Sequence, residues 1–163
     1  MKINKKIITL ALCTMLSMSL IGCSNTKEVT STEDTSKKET VIKKDIPEGL
    51  SEELGNGTII VSTAGGTSED GNIPVVFAEE DLVLEQIGLD AEDFDGSKLS
   101  YIYIDGMNNT KEQLGEMTQT TLTLDGDALN KGTHKVEVVQ YDNDEATGKA
   151  ITYKTASYEI KTK

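Results

Sequence analysis

Lys98-Leu99-Ser100-Tyr101-Ile102-Tyr103-Ile104-Asp105 is the stretch from which the fold can be read. On an extended chain Leu99, Tyr101 and Tyr103 point one way and Ile102 and Ile104 the other, so both faces offer apolar surface. A strand of this kind belongs at the centre of a packed sheet. Asp105-Gly106 directly behind it is a turn signal.

Outward from this strand the chain keeps the same grammar of short runs rich in Val, Ile, Thr and Tyr, punctuated by Gly, Asn and Asp. Upstream, residues 58–63 read as a strand closed by Ala64-Gly65-Gly66-Thr67, and residues 73–78 as a second. Pro74 marks that second run as an edge or a strand start. Residues 81–89 fit either period and are assigned to a strand. Downstream, residues 111–117 form a weak connecting strand, and 120–124 alternate with Leu122 and Leu124 inward. Residues 125–132 turn with Leu129 as a plug, and 133–141 place Val136 and Val138 on one face. Residues 149–161 read as a long last strand whose apolar parity slips between Ile151, Tyr153 and Ala156, Tyr158, Ile160. Such a slip is what a β-bulge on an edge strand produces, and an edge of this length is a candidate surface for a partner strand. Seven or eight short strands with turns at this spacing predict an all-β antiparallel sandwich over residues 48–163.

The run Tyr101-Ile102-Tyr103-Ile104-Asp105-Gly106, then Thr121 to Leu124, Leu129, and Gly132-Thr133-His134-Lys135-Val136-Glu137-Val138 resembles the central part of bacterial immunoglobulin-like domains. The resemblance implies an immunoglobulin-like sandwich serving adhesion, spacing or ligand binding, and it assigns no chemistry. The chain departs from antibody domains in having no tryptophan and no core disulfide.

The N-terminus has a different character. Lys2, Lys5 and Lys6 precede an apolar run from Ile7 to Leu20, the layout of a secretory signal over residues 1–22. Leu20-Ile21-Gly22-Cys23 resembles the lipobox of bacterial lipoproteins, which implies cleavage before Cys23 and a diacylglyceryl group on its thiol. Two acyl chains hold a domain stably at a membrane where one does not. Residues 23–47 are then the lipidated terminus and a polar tether, with Val29, Val41 and Ile42 almost its sole apolar residues. As a flexible coil it would hold the domain roughly 25 to 30 Å from the bilayer. The implied location is the extracytoplasmic face of the cell membrane.

Charge narrows the partners. The 163 residues hold 28 Asp and Glu against 16 Lys and no Arg, a formal net charge of −12, and removing Lys2, Lys5 and Lys6 takes it to −15. An acidic chain without a guanidinium fork is a poor partner for nucleic acid or anionic headgroups. Cys13 lies in the signal and Cys23 would be acylated, which leaves no thiol for a disulfide, a zinc site or a nucleophile.

His134 is the sole histidine. Its parity matches Val136 and Val138, so it is expected to cap the core rather than catalyse. Seven carboxylates flank two strand ends: Asp90, Glu92, Asp93 and Asp95 after the third strand, and Asp142, Asp144 and Glu145 after Tyr141. In immunoglobulin topology these loops lie at the same end, where calcium could find six to eight oxygens. Neither loop has the Asp-x-Asp-x-Asp-Gly spacing, so the plainer reading is a solvated acidic pole. No other cofactor is expected. The function that follows is a non-catalytic surface module with a protein or glycan partner. A transporter's solute-binding component would need two α/β lobes, and an envelope hydrolase using Asp90 and Asp95 would need a cleft between its carboxylates.

Overall fold

The computed structural model describes residues 45–51 and 53–163. The described residues form nine strands: β1 Thr58–Thr63, β2 Gly66–Thr67, β3 Val75–Ala78, β4 Leu84–Glu92, β5 Ser100–Ile104, β6 Met107–Glu112, β7 Met117–Asp125, β8 Gly132–Tyr141 and β9 Ala150–Thr162. One sheet runs β2-β1-β4-β7 and the other β3-β9-β8-β5-β6. The blocks β1-β4-β7 and β9-β8-β5-β6 reproduce the two sheets of the immunoglobulin sandwich, with β3 added beside β9. The two α/β lobes of a solute-binding component are not what these residues form.

Period-two alternation explains the sandwich interior. Val61 on β1, Ile87, Leu89 and Ala91 on β4, and Leu122 and Leu124 on β7 face Ile102 and Ile104 on β5, Val136 and Val138 on β8, and Tyr158 and Ile160 on β9. All are buried. Leu129 packs at the margin of this core, under the short helical turn Gly126–Leu129. Between β5 and β6, Asp105 and Gly106 have φ of 53° and 82°, the two left-handed residues of a tight hairpin turn.

The other face of β5 is equally apolar, and it meets the chain's own N-terminal segment. Tyr101 and Tyr103 of β5 join Val139 and Tyr141 of β8 and Ala150 and Tyr153 of β9 in a second buried cluster, with Ile46, Leu50 and Leu54 packed against it. Asp45 and Ile46 donate backbone N–H bonds to the Gly106 carbonyl at 2.8 and 3.1 Å. At the other end of the segment, the Leu54 carbonyl accepts from the Tyr153 N–H at 3.0 Å. The segment therefore climbs the outer face of the five-stranded sheet from the β5–β6 turn towards the β8–β9 loop. Residues 45–47, placed with the tether by sequence, contribute to this cover.

Four expectations are corrected. The strand expected at 111–117 lies at Met107–Glu112, because the two-residue turn returns the chain at once as a hairpin edge, and an edge strand needs no apolar alternation. Leu114 is instead a fully buried plug in the connection to β7. The strand expected at 81–89 runs Leu84–Glu92, so Asp90 and Glu92 are strand residues paired with Gln119 and Met117 rather than loop residues. The last strand is no free edge: β3 pairs with it in parallel from Glu159 to Thr162, and Leu54 bridges to Tyr153. Its parity slip has a different origin too. Ala156, Tyr158 and Ile160 face the sandwich core while Tyr153 faces the outer cluster, and the bulge sits at Ile151, where the pairing jumps from Gln140↔Thr152 to Tyr141↔Ala150.

Candidate functional site

The loops after β4 and β8 do meet at one end of the sandwich. Lys98 Nζ donates to the Asp142 carbonyl at 2.7 Å and lies 3.8 Å from Asp144 Oδ2. The Leu99 N–H donates to Asp144 Oδ1 at 3.1 Å, and the Tyr101 hydroxyl to the Asp144 carbonyl at 2.9 Å. Asp144 holds φ of 58°, the left-handed conformation that its short polar side chain tolerates. The β6–β7 connection closes the same end, with Asp93 and Phe94 donating backbone bonds to the Glu116 and Gly115 carbonyls at 3.1 Å each.

The carboxylates expected to converge there are engaged separately. Asp90 Oδ1 accepts from Gln119 Nε2 at 2.7 Å on the face of the four-stranded sheet. Asp95 Oδ1 accepts from the Ser97 hydroxyl at 2.7 Å and the Ser97 N–H at 2.9 Å, and these bonds hold its carboxyl below the usual range. Asp142 Oδ1 accepts from the Lys149 N–H at 3.0 Å. Glu92 and Glu145 are exposed. Among the described residues no group of three or more acidic, His or Cys side chains is placed to hold a metal ion. The pole is thus a set of carboxylate-stapled turns, and the geometry does not assemble calcium ligands from Asp90, Glu92, Asp93, Asp95, Asp142, Asp144 and Glu145. Cys23, the expected lipidation site, lies outside the described residues.

Beside these turns is a shallow cleft of about 470 Å³ lined by Gly55, Asn56, Asp93, Phe94, Asp95, Ile151 and Thr152. Its wall depends on glycine, because a Cβ on Gly55 would collide with the Ile151 carbonyl and one on Gly57 would come within 2.8 Å of the Phe94 ring. Two of the lining residues, Asp93 and Asp95, carry carboxylates, which accept hydrogen bonds. A group that donates hydrogen bonds, such as a sugar hydroxyl or an ammonium, is what such a surface takes.

Beneath the cleft lies a polar residue that sequence reading passed over. Gln140 is fully buried; its Nε2 donates to the Asp95 carbonyl and to Ser100 Oγ, each at 3.0 Å, and its Oε1 has no protein partner. Its position was legible, since it continues the inward parity of Val136 and Val138. Its role was not, because the Asp95 carbonyl it holds is 45 residues away in sequence.

His134 is a structural residue. Nδ1 lies 2.7 Å from Asp105 Oδ2, Nε2 lies 2.6 Å from the Asn130 carbonyl, and the ring stacks on Tyr158 at 5.1 Å. It ties the β5–β6 turn to the start of β8, at the end of the sandwich opposite the cleft.

No family model matches the chain, and no curated protein matches it. Among solved structures, the fibronectin(III)-like modules of CbhA from Clostridium thermocellum are similar, with a TM-score of 0.38 and 17% identity over 64% of this chain and 98% of that one. The CARDB domain of a Pyrococcus furiosus protein is similar at a TM-score of 0.37 and 12% identity, over 66% of this chain and 97% of that one. At this distance the order and pairing of the strands themselves carry the assignment, and they make the described residues an immunoglobulin-like β-sandwich.

Proposed function

We propose that the chain is a membrane-anchored extracytoplasmic lipoprotein, acylated at Cys23, whose sandwich is a non-catalytic binding or accessory module. One observation carries this reading. Asp45 and Ile46 are bound at Gly106, at the end of the sandwich opposite the loops 93–99 and 142–149. An anchor that joins the sandwich through Asp45 attaches at that end, and the cleft beside Asn56, Asp93 and Asp95 lies at the end away from the point of attachment. The acidic surface is repelled by anionic headgroups, which keeps the cleft free for a protein or glycan partner. The two carboxylates of its lining favour a partner that donates hydrogen bonds.

Cell fractionation of Cys23→Ala tests the anchor: the variant should leave the membrane fraction, and unchanged partitioning would defeat the lipoprotein reading. A photo-crosslinking residue at Glu145 tests the pole. Adducts should form with the intact chain in cells, and their absence there would contradict a partner at this end.

A further inference from the structure

Three of the six exposed large hydrophobic side chains among the described residues gather away from the cleft, where β3 and the start of β4 come together. Phe77 is 55% exposed, Val83 82% and Leu84 53%, and all three line one groove with Leu82, Glu79 and Glu85. Alternation does not account for them. Val76 and Ala78 face the core, so Phe77 stands on the outward side of β3, and Leu84 has the opposite parity to the buried Ile87, Leu89 and Ala91. Three large apolar side chains thus occupy positions where a solvated sandwich carries polar ones.

The backbone beside this surface is open as well. Among the described residues β3 pairs on one side with β9 and with no strand on the other. The Pro74 and Ala78 carbonyls accept from Glu159 and Lys163 at 2.9 and 3.1 Å, so Val75 and Phe77 turn their amide groups to the free side. The Val75 carbonyl there accepts from Thr63 Oγ1 at 2.9 Å. Phe77 has no strand beside it. Around the groove stand Glu79, Asp81 and Glu85, and the one cation among its lining residues, Lys163, is already 3.3 Å from Glu79 Oε1.

We propose that the free edge at Phe77 and the Phe77–Val83–Leu84 groove form a docking site for an extended protein segment in which apolar and basic residues alternate. The segment would add a strand beside β3 by bonding the Phe77 N–H and carbonyl. Its apolar side chains would enter the groove and its lysines or arginines would meet Asp81 and Glu85. Charge complementarity chooses this occupant: an acidic rim repels both a second copy of this acidic chain and an anionic bilayer, and it attracts a basic strand.

The test uses the full chain and a fluorescent synthetic peptide alternating Lys and Val over seven residues, followed by anisotropy at physiological salt. Saturable binding is expected, with new amide-exchange protection at Phe77. Val83→Asp should weaken it by about ten-fold or more. Val83 is exposed, so this change leaves the core intact. Glu85→Lys should weaken binding while Glu145→Lys, an equal change of net charge at the far pole, should not. Equal loss in those two variants would reduce the effect to unspecific attraction and overturn the site. So would absence of saturable binding, concentration-dependent self-association of the chain that Val83→Asp abolishes, or binding to phosphatidylcholine vesicles that Val83→Asp abolishes.

Discussion

The two faces of the five-stranded sheet are both buried, and they are built from different residues. The inner face is aliphatic at its centre, where Ile102, Ile104, Val136 and Val138 meet the opposite sheet and carry no polar atom that needs a partner. The outer face is phenolic: Tyr101, Tyr103, Tyr141 and Tyr153 lie under Ile46, Leu50 and Leu54 and find partners for their hydroxyls. The Tyr101 hydroxyl donates to Asp144, Tyr153 donates to Glu137 Oε1 at 2.7 Å, and Tyr103 and Tyr141 share a hydroxyl contact at 3.4 Å. A face covered by a single segment rather than a sheet stays near water at its margins, and tyrosine suits that condition because it is apolar in body and polar at the tip.

The largest effect expected is on the inner face. Ile102→Ala should cost about 3 to 4 kcal/mol in chemical denaturation, because the closed interior cannot collapse onto the cavity. A cost under about 1 kcal/mol would mean the two sheets do not close over it. On the outer face the comparison sharpens with a chain that begins at Asn56. Losing the burial of Ile46, Leu50 and Leu54 should cost about 2 kcal/mol, and the sandwich should still fold cooperatively while binding a hydrophobic dye at the uncovered tyrosines. Unfolding of this variant would show that the cover is part of the core rather than a layer upon it.

Alkaline titration probes the buried phenols of both faces next. Burial, and then the Glu137 hydrogen bond, push the Tyr153 phenol up to about 12, and burial raises Tyr103, Tyr141 and Tyr158 as well. These phenols keep their protons when folded and lose them near pH 10 when unfolded. Their contribution to stability is therefore intact below about pH 10 and falls as pH rises through the folded values. Ultraviolet titration should find Tyr153 near 12 in the full chain and closer to 10 once residues 45–55 are removed. An unshifted Tyr153 in the intact protein would refute the buried outer face. The smallest effect belongs to Tyr103→Phe: at 3.4 Å the contact with Tyr141 is long, and its loss should cost no more than about 1 kcal/mol.

The same contrast decides what could be read from the chain. Val136, Val138, Leu122 and Leu124 declare the inner face because alternation is a local signal that every strand repeats. Leu99, Tyr101 and Tyr103 announced a second apolar face on β5, yet nothing local to them says what covers it. Ile46, Leu50 and Leu54 recur four apart among Pro, Glu, Gly and Ser, but that spacing does not name the face they cover, and they become a layer only when the strands are assembled. The polar run at β6 was misplaced to 111–117 for the same reason in reverse: the turn residues Asp105 and Gly106 place it, not its own composition. At the candidate site, the shared end of the loops 93–99 and 142–149 followed from topology. The fate of their carboxylates did not, since Asp95 engages a serine two residues on and Asp142 and Asp144 engage backbone and Lys98. Pro74 marked residues 73–78 as an edge or a strand start, but the groove at Phe77, Val83 and Leu84 stayed hidden because nothing local says which run lies beside that edge.

The most direct test of a sandwich with an added outer layer is residue-resolved amide exchange in the full chain and in the chain beginning at Asn56. The Tyr153 N–H donates to the Leu54 carbonyl, whereas Val136 and Leu122 carry side chains of the sandwich interior and lie in the ladders of the two sheets. Strong protection of Tyr153 in the full chain is expected, with selective loss on truncation while Leu122 and Val136 keep theirs. Fast exchange of Tyr153 in the intact chain, or uniform loss of protection on truncation, would contradict it.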